Sequence, residues 1–188
     1  MLGLWIALGV IAVLVIILVV WGISTYNKLI KMKNDVEESF STMDVCMKKR
    51  YDLVPNLVAT VKGYAKHEES TLEKVIAARN MAVNATSMEE KSKADNMLTG
   101  TLKSIFALSE SYPELKANTN FMDLQNQLKN LETEISNSRR FYNACVKNFN
   151  NKIEVFPSSI IAKWFKFEKK TMFEVDAPEE RKNVKVEF

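Results

Sequence analysis

Lys48-Lys49-Arg50-Tyr51-Asp52-Leu53-Val54-Pro55-Asn56-Leu57 is the stretch on which the fold turns. One reading ends a helix here: the basic residues complement its C-terminal dipole, Asp52 caps a second helix, and Pro55 sits in that helix's first turn. The other runs one long helix through the stretch with a kink at Pro55. Length favours the break. An unbroken helix over residues 25–83 would be about 90 Å long, against about 37 and 50 Å for the helical segments that follow. Half of its apolar stripe would then lack an intramolecular partner. A break within residues 51–55 leaves four helices of comparable length.

Downstream, apolar residues recur at three- and four-residue steps: Leu57, Val61, Leu72 and Val75, then Leu98, Leu102 and Ile105, then Leu124, Leu128, Leu131 and Ile135. Each set lies on one helical face. Residues 84–87 end one helix, and Ser87 ahead of Glu89 and Glu90 suits a cap with an acidic first turn. Tyr112-Pro113 marks the next break, with Thr119 or Asn120 as the following cap. Upstream, Leu29, Met32, Val36, Phe40, Met43 and Met47 form the first stripe. The expected fold is all-α, with the soluble part an antiparallel up-and-down four-helix bundle. Its turns at residues 51–55 and 112–120 would meet at one tip.

Ahead of this bundle the first 27 residues carry no charged side chain, and Leu2 to Ile23 form an almost unbroken apolar run through Leu14. As a helix the run is about 33 Å long, enough to cross a bilayer core of about 30 Å. Trp5 and Trp21 fall near its ends, where aromatic rings favour the interface. The run is long for a cleaved signal peptide and lacks a basic n-region and a small-residue cleavage site, so it is expected to stay as a signal anchor. Lys28, Lys31 and Lys33 follow directly, which by the positive-inside rule puts the following domain in the cytoplasm.

After the fourth helix the chain changes character at Phe156-Pro157. Ser158 or Ser159 can cap a short helix on whose wheel Ile160, Ile161, Trp164, Phe165 and Phe167 share a face, with Lys163, Lys166, Lys169 and Lys170 opposite. Such a segment suits a membrane surface carrying anionic lipid, or the side of the bundle. Residues 172–175 and 184–188, flanking a charged stretch at 176–183, read as an extended tail. The organisation expected is an anchor at 1–24, a bundle at 25–156, and an amphipathic segment with tail at 157–188.

The net charge of +3 is spread thinly, without the basic block of a nucleic-acid groove. With His67 as the sole histidine, a di-iron bundle and an HExxH zinc site are excluded by count, and no phosphate-binding glycine loop occurs. No catalytic constellation, metal site or cofactor is expected. Cys46 and Cys145 stand far from any CxxC pattern, and their pairing stays open. Arg50, Asp52, Pro55 and Asn56, set at a distal turn, are the candidate partner-binding residues.

Several long stretches resemble the bacterial LemA family of membrane-anchored helical proteins. They are Tyr26-Asn27, the Arg50-to-Val58 segment, Val61-Lys62-Gly63-Tyr64-Ala65-Lys66-His67-Glu68, Tyr112-Pro113-Glu114-Leu115-Lys116-Ala117-Asn118, Arg139-Arg140-Phe141-Tyr142-Asn143 and Phe156-Pro157-Ser158-Ser159. The resemblance implies a helical bundle, a bacterial cell membrane and no established enzymatic activity. Many relatives carry a lipid-modified cysteine that this chain lacks. The function expected is a non-enzymatic membrane scaffold that recruits an unknown protein partner as a homo-oligomer. The alternative is a membrane-shaping protein that uses its basic amphipathic segment on the lipid bilayer.

Overall fold

The computed structural model describes residues 2–174. The expected extended segments at residue 175 and at 184–188, and the charged stretch between them, lie outside the described residues. The described chain is helical with one extended segment at its end. The helices are α1 (Leu2–Tyr64), α2 (Glu69–Asn84), α3 (Met88–Ser109), α4 (Pro113–Lys116), α5 (Thr119–Glu154) and α6 (Ser158–Trp164).

The all-α class and the leading apolar helix are as expected; the break at residues 51–55 is not. α1 runs straight through Pro55, and the chain first turns at residues 65–68. Proline removes the amide that would bond the carbonyl of Tyr51 four residues back. That carbonyl is not orphaned: Arg79 on α2 donates its Nε to it at 3.4 Å. A side chain from the neighbouring helix replaces the missing backbone donor, so the helix continues.

Length is no obstacle to an unbroken helix either. The long apolar stripe of α1 does have partners, but different ones at different heights. α5 packs antiparallel along α1 beyond its apolar run, with Phe40 against Tyr142 and Arg50 against Glu132. The α2–α3 hairpin completes the core around the upper half, where Val54, Leu57 and Val61 meet Leu72, Val75, Leu98 and Ile105. The lower half is completed by α6 and the extended residues after it. The helices are therefore unequal, with 63, 16, 22 and 36 residues in α1, α2, α3 and α5.

The turns follow local chemistry. Ser87 caps α3 in a full capping box: its hydroxyl accepts from the Glu90 amide while the Glu90 carboxylate accepts from the Ser87 amide. These bonds hold the Glu90 carboxyl below its usual range. The α5 cap is Asn118, one residue before those expected, accepting from Phe121 at 3.0 Å. The tip joins residues 64–68 to residues 112–118. Tyr112 donates its hydroxyl to Glu68 at 3.1 Å, and Asn118 donates to the Tyr64 hydroxyl at 2.9 Å.

Candidate membrane-surface site

The apolar residues Leu2, Trp5 and Leu14 lie on the open part of α1 and are exposed on all sides, while Trp21 is half-buried. α1 is long and apolar enough to cross a membrane there, and none of that window is buried within the protein. Where the apolar run ends, α6 lies against α1. Ile161 Cδ1 sits 3.7 Å from where a Cβ on Gly22 would stand, ordinary van der Waals contact, so Ile161 packs directly over this glycine. The Tyr26 ring packs at a tilt against Phe165, with ring centroids 4.5 Å apart, and against Phe167 at 6.0 Å. α6 is thus fixed at the level of residues 22–26.

Of the expected membrane-surface residues, the structure gathers all six here but divides their apolar members. Ile161 faces α1, whereas Ile160 points outward and Trp164 is 79% exposed. Phe156, just before α6, is 82% exposed. The single face drawn on a helical wheel does not extend to residue 167, because α6 ends at Trp164. Lys163 and Lys166 are exposed.

The end of α6 has an unusual residue. The Phe167 amide donates to Ala162 at 2.9 Å and the Lys166 amide to Lys163 at 3.2 Å, the bond pair of a Schellman motif. The residue that must be left-handed in this motif is normally glycine. Here it is Lys166, at φ 55°. A side-chain-bearing residue in that conformation costs about 1 kcal/mol or more relative to glycine.

Beyond Lys166 the chain runs extended along α5, held by side-chain amides. Asn150 accepts from the Lys170 amide at 2.9 Å and donates to the Lys170 carbonyl at 2.9 Å. Asn143 does the same to Phe173, at 2.8 and 2.9 Å. Seven residues of helix rise about 10.5 Å and three extended residues span about 10 Å, so the two ladders stay in step. Tyr142 donates to the Thr171 carbonyl at 2.7 Å, Ser92 to the Glu174 carbonyl, and Phe173 is buried under Arg139. Sequence reading missed this strap, since an asparagine on a helix face carries no signal of what it will bond.

A cavity of about 340 Å³ lies between the strap and α1, with Lys33, Lys166, Lys169 and Lys170 around Tyr26 and Phe167. Glu37 pairs with Lys33 at 3.8 Å and with Lys170 at 4.0 Å, and Glu154 pairs with Lys169. Glu168 also lines it.

The second expected site is rearranged. Arg50 is fully buried, donating to Glu132 at 2.5 Å, to Thr99 at 3.0 Å and to the buried Asp95. It faces the core and offers nothing to a partner. Burial pushes the Asp95 carboxyl above its usual range more than Arg50 pulls it back. Asp52, Pro55 and Asn56 do lie on an exposed face of α1, on the shaft of the helix and three turns short of the tip. Cys46 is buried and Cys145 half-buried, and both are free.

A model described as the LemA family matches residues 39–188. Protein LemA of Metamycoplasma hominis is 30% identical over 141 residues, covering 72% of this chain and 63% of that protein. Magnetosome proteins MamQ 2 and MamQ 1 of Paramagnetospirillum magneticum are each 24% identical over 183 residues, covering 83% of this chain and 67% of theirs. This chain therefore spans less than two thirds of the Metamycoplasma relative's length.

Proposed function

This chain belongs to the LemA family, and on that premise we propose that it is a non-enzymatic scaffold anchored in the bacterial cell membrane. The observation that carries the reading is the continuity of α1 from its apolar end to Tyr64. One helix spans the bilayer and forms the backbone of the domain, so the domain cannot swivel on a linker. The outward face of Asp52, Pro55 and Asn56 is held about 45 Å beyond Ile23, stiffly and at a set distance from the lipid. Lys28, Lys31 and Lys33 orient the domain to the cytoplasm. Copies held side by side as a homo-oligomer would present this face as an array to a protein partner.

The test is a photoreactive residue at position 56 in the full chain in cells, with a control at the exposed Asn130 on α5. A discrete adduct from position 56 alone is expected. It should be lost in Asp52→Lys without loss of helicity. Equal labelling from both positions, or none from position 56, would sink the scaffold reading.

A second reading, membrane shaping, draws on the exposed Phe156, Ile160 and Trp164 beside the anchor. Apolar side chains at this level would wedge into one leaflet. Liposomes carrying the full chain would then tubulate or shrink relative to liposomes with Phe156→Ser/Trp164→Ser.

A further inference from the structure

Two openings at the foot of the domain lie on either side of the Tyr26–Phe165 ring pair. The lysine-rimmed cavity above shares Tyr26 and Phe165 with an apolar groove below, also about 340 Å³, between Val19, Gly22 and Ile23 of α1 and Ile161 and Trp164 of α6. The lower groove lies level with the last turn and a half of the apolar run. The upper cavity begins at Tyr26, about 4.5 Å further along the helix, which is headgroup depth for a bilayer whose core ends at Ile23. Apolar walls lie below and cations above, Lys166 directly at the boundary beside Phe165 and Lys33 about 10 Å further along α1 than Tyr26, an order that matches the two halves of one amphiphile.

We propose that this two-part cleft binds a single anionic phospholipid, its phosphate held by Lys166 with Lys33 and Lys170, and one acyl chain lying over Gly22 between α1 and α6. Charge decides between anionic and zwitterionic lipid. Lys33 and Lys170 share one exposed carboxylate, Glu37, at the outer limit of ion-pair distance, and such surface pairs yield readily to a better anion. Lys166 makes no ion pair among the described residues. It also holds a left-handed backbone, the one such side-chain-bearing position among the described residues, where glycine would relieve strain. A strained residue that keeps a charged side chain marks a site where the side chain matters more than the local fold. Tyr26 and Phe165 separate the two halves and fix the depth of the glycerol region, as amphipathic rings do at interfaces.

The inference rests on α1 crossing the bilayer and not on the scaffold role. The test places the full chain in nanodiscs of phosphatidylcholine with a minor fraction of phosphatidylglycerol, and reads retained lipid by native mass spectrometry. One phosphatidylglycerol per chain should survive release, enriched over its share of the bilayer. Losing one charge-assisted contact should cut that enrichment about tenfold. This is expected for both Lys166→Gln and Lys166→Gly, of which the glycine variant relieves strain and keeps the fold. Equal retention of both lipids, or full enrichment in both variants, would overturn the site. Displacement by glycerol phosphate as effectively as by added phosphatidylglycerol would overturn the acyl half and the lipid with it. Failure of the chain to enter nanodiscs at all would instead remove the membrane-spanning reading.

Discussion

Replacing Arg50 with methionine should destabilise the domain severely at neutral pH and much less in mild acid. The guanidinium is fully buried and its main partner, Asp95, is only 2% exposed, whereas Glu132 reaches solvent and can relax outward. Methionine fills most of the space but leaves the Asp95 carboxylate without a cation. The carboxylate can escape by taking up a proton. From an unfolded value near 3.9, that costs about 1.4 kcal/mol per pH unit, or about 4 kcal/mol at pH 7. This agrees with the roughly 3–5 kcal/mol seen when one member of a buried pair is removed. With the carboxyl raised in the folded variant, stability must rise as pH falls toward the unfolded value, and the penalty should shrink to about 1.5 kcal/mol at pH 5. Replacing the pair together, Arg50→Met with Asp95→Leu, should recover most of the loss, because apolar residues of similar volume need no counter-charge. Urea unfolding of the full chain in micelles, followed by far-UV circular dichroism, gives these values directly, since the detergent-covered apolar end of α1 contributes a constant background. A penalty for Arg50→Met below about 1 kcal/mol that does not change with pH would refute the buried pair. Arg50 would then be free to face a partner.

Pro55→Ala should stabilise the domain by about 1–3 kcal/mol by restoring a helix amide, and Arg79→Ala should cost about 1 kcal/mol in the native chain but little in the Pro55→Ala background. A double-mutant cycle measures that coupling. Asn150→Ala should release the strap, weakening it by about 1–2 kcal/mol, with faster hydrogen exchange at the Lys170 and Phe173 amides and unchanged exchange in α2. The Glu90 carboxyl is held below its usual range, so its capping contribution is complete above the ordinary glutamate value and disappears as pH falls through the lowered one. Exchange at the Ser87 amide should accelerate over that acid range, and Glu90→Gln should abolish the dependence.

Much of this was legible in the sequence because it depended on local patterns. The apolar run, the helical periodicity, the Ser87 cap and the break at Pro113 are each set by residues within a turn or two. What was illegible depended on partners distant in sequence. Nothing near Pro55 announces that Arg79 will donate to the Tyr51 carbonyl, so a proline that ends many helices passes through this one. Arg50 looked like a C-terminal charge because its partners, Asp95 and Glu132, lie 45 and 82 residues away. The six residues expected at a membrane surface were chosen from their composition, and the structure gathers them at the foot of the domain. Their division into a docked Ile161 and an outward Trp164 depends on where α6 meets α1, residues about 140 positions apart in sequence.

The claim at the centre is that α6 and the apolar end of α1 meet the bilayer together. In a chain with Trp5→Phe and Trp21→Phe, Trp164 is the only tryptophan, and its depth can be read by quenching with lipids brominated at successive acyl positions. Strong quenching from bromines nearest the headgroup, falling off toward the bilayer centre, is the predicted result. Emission indifferent to every brominated lipid would place α6 away from the membrane and contradict the account.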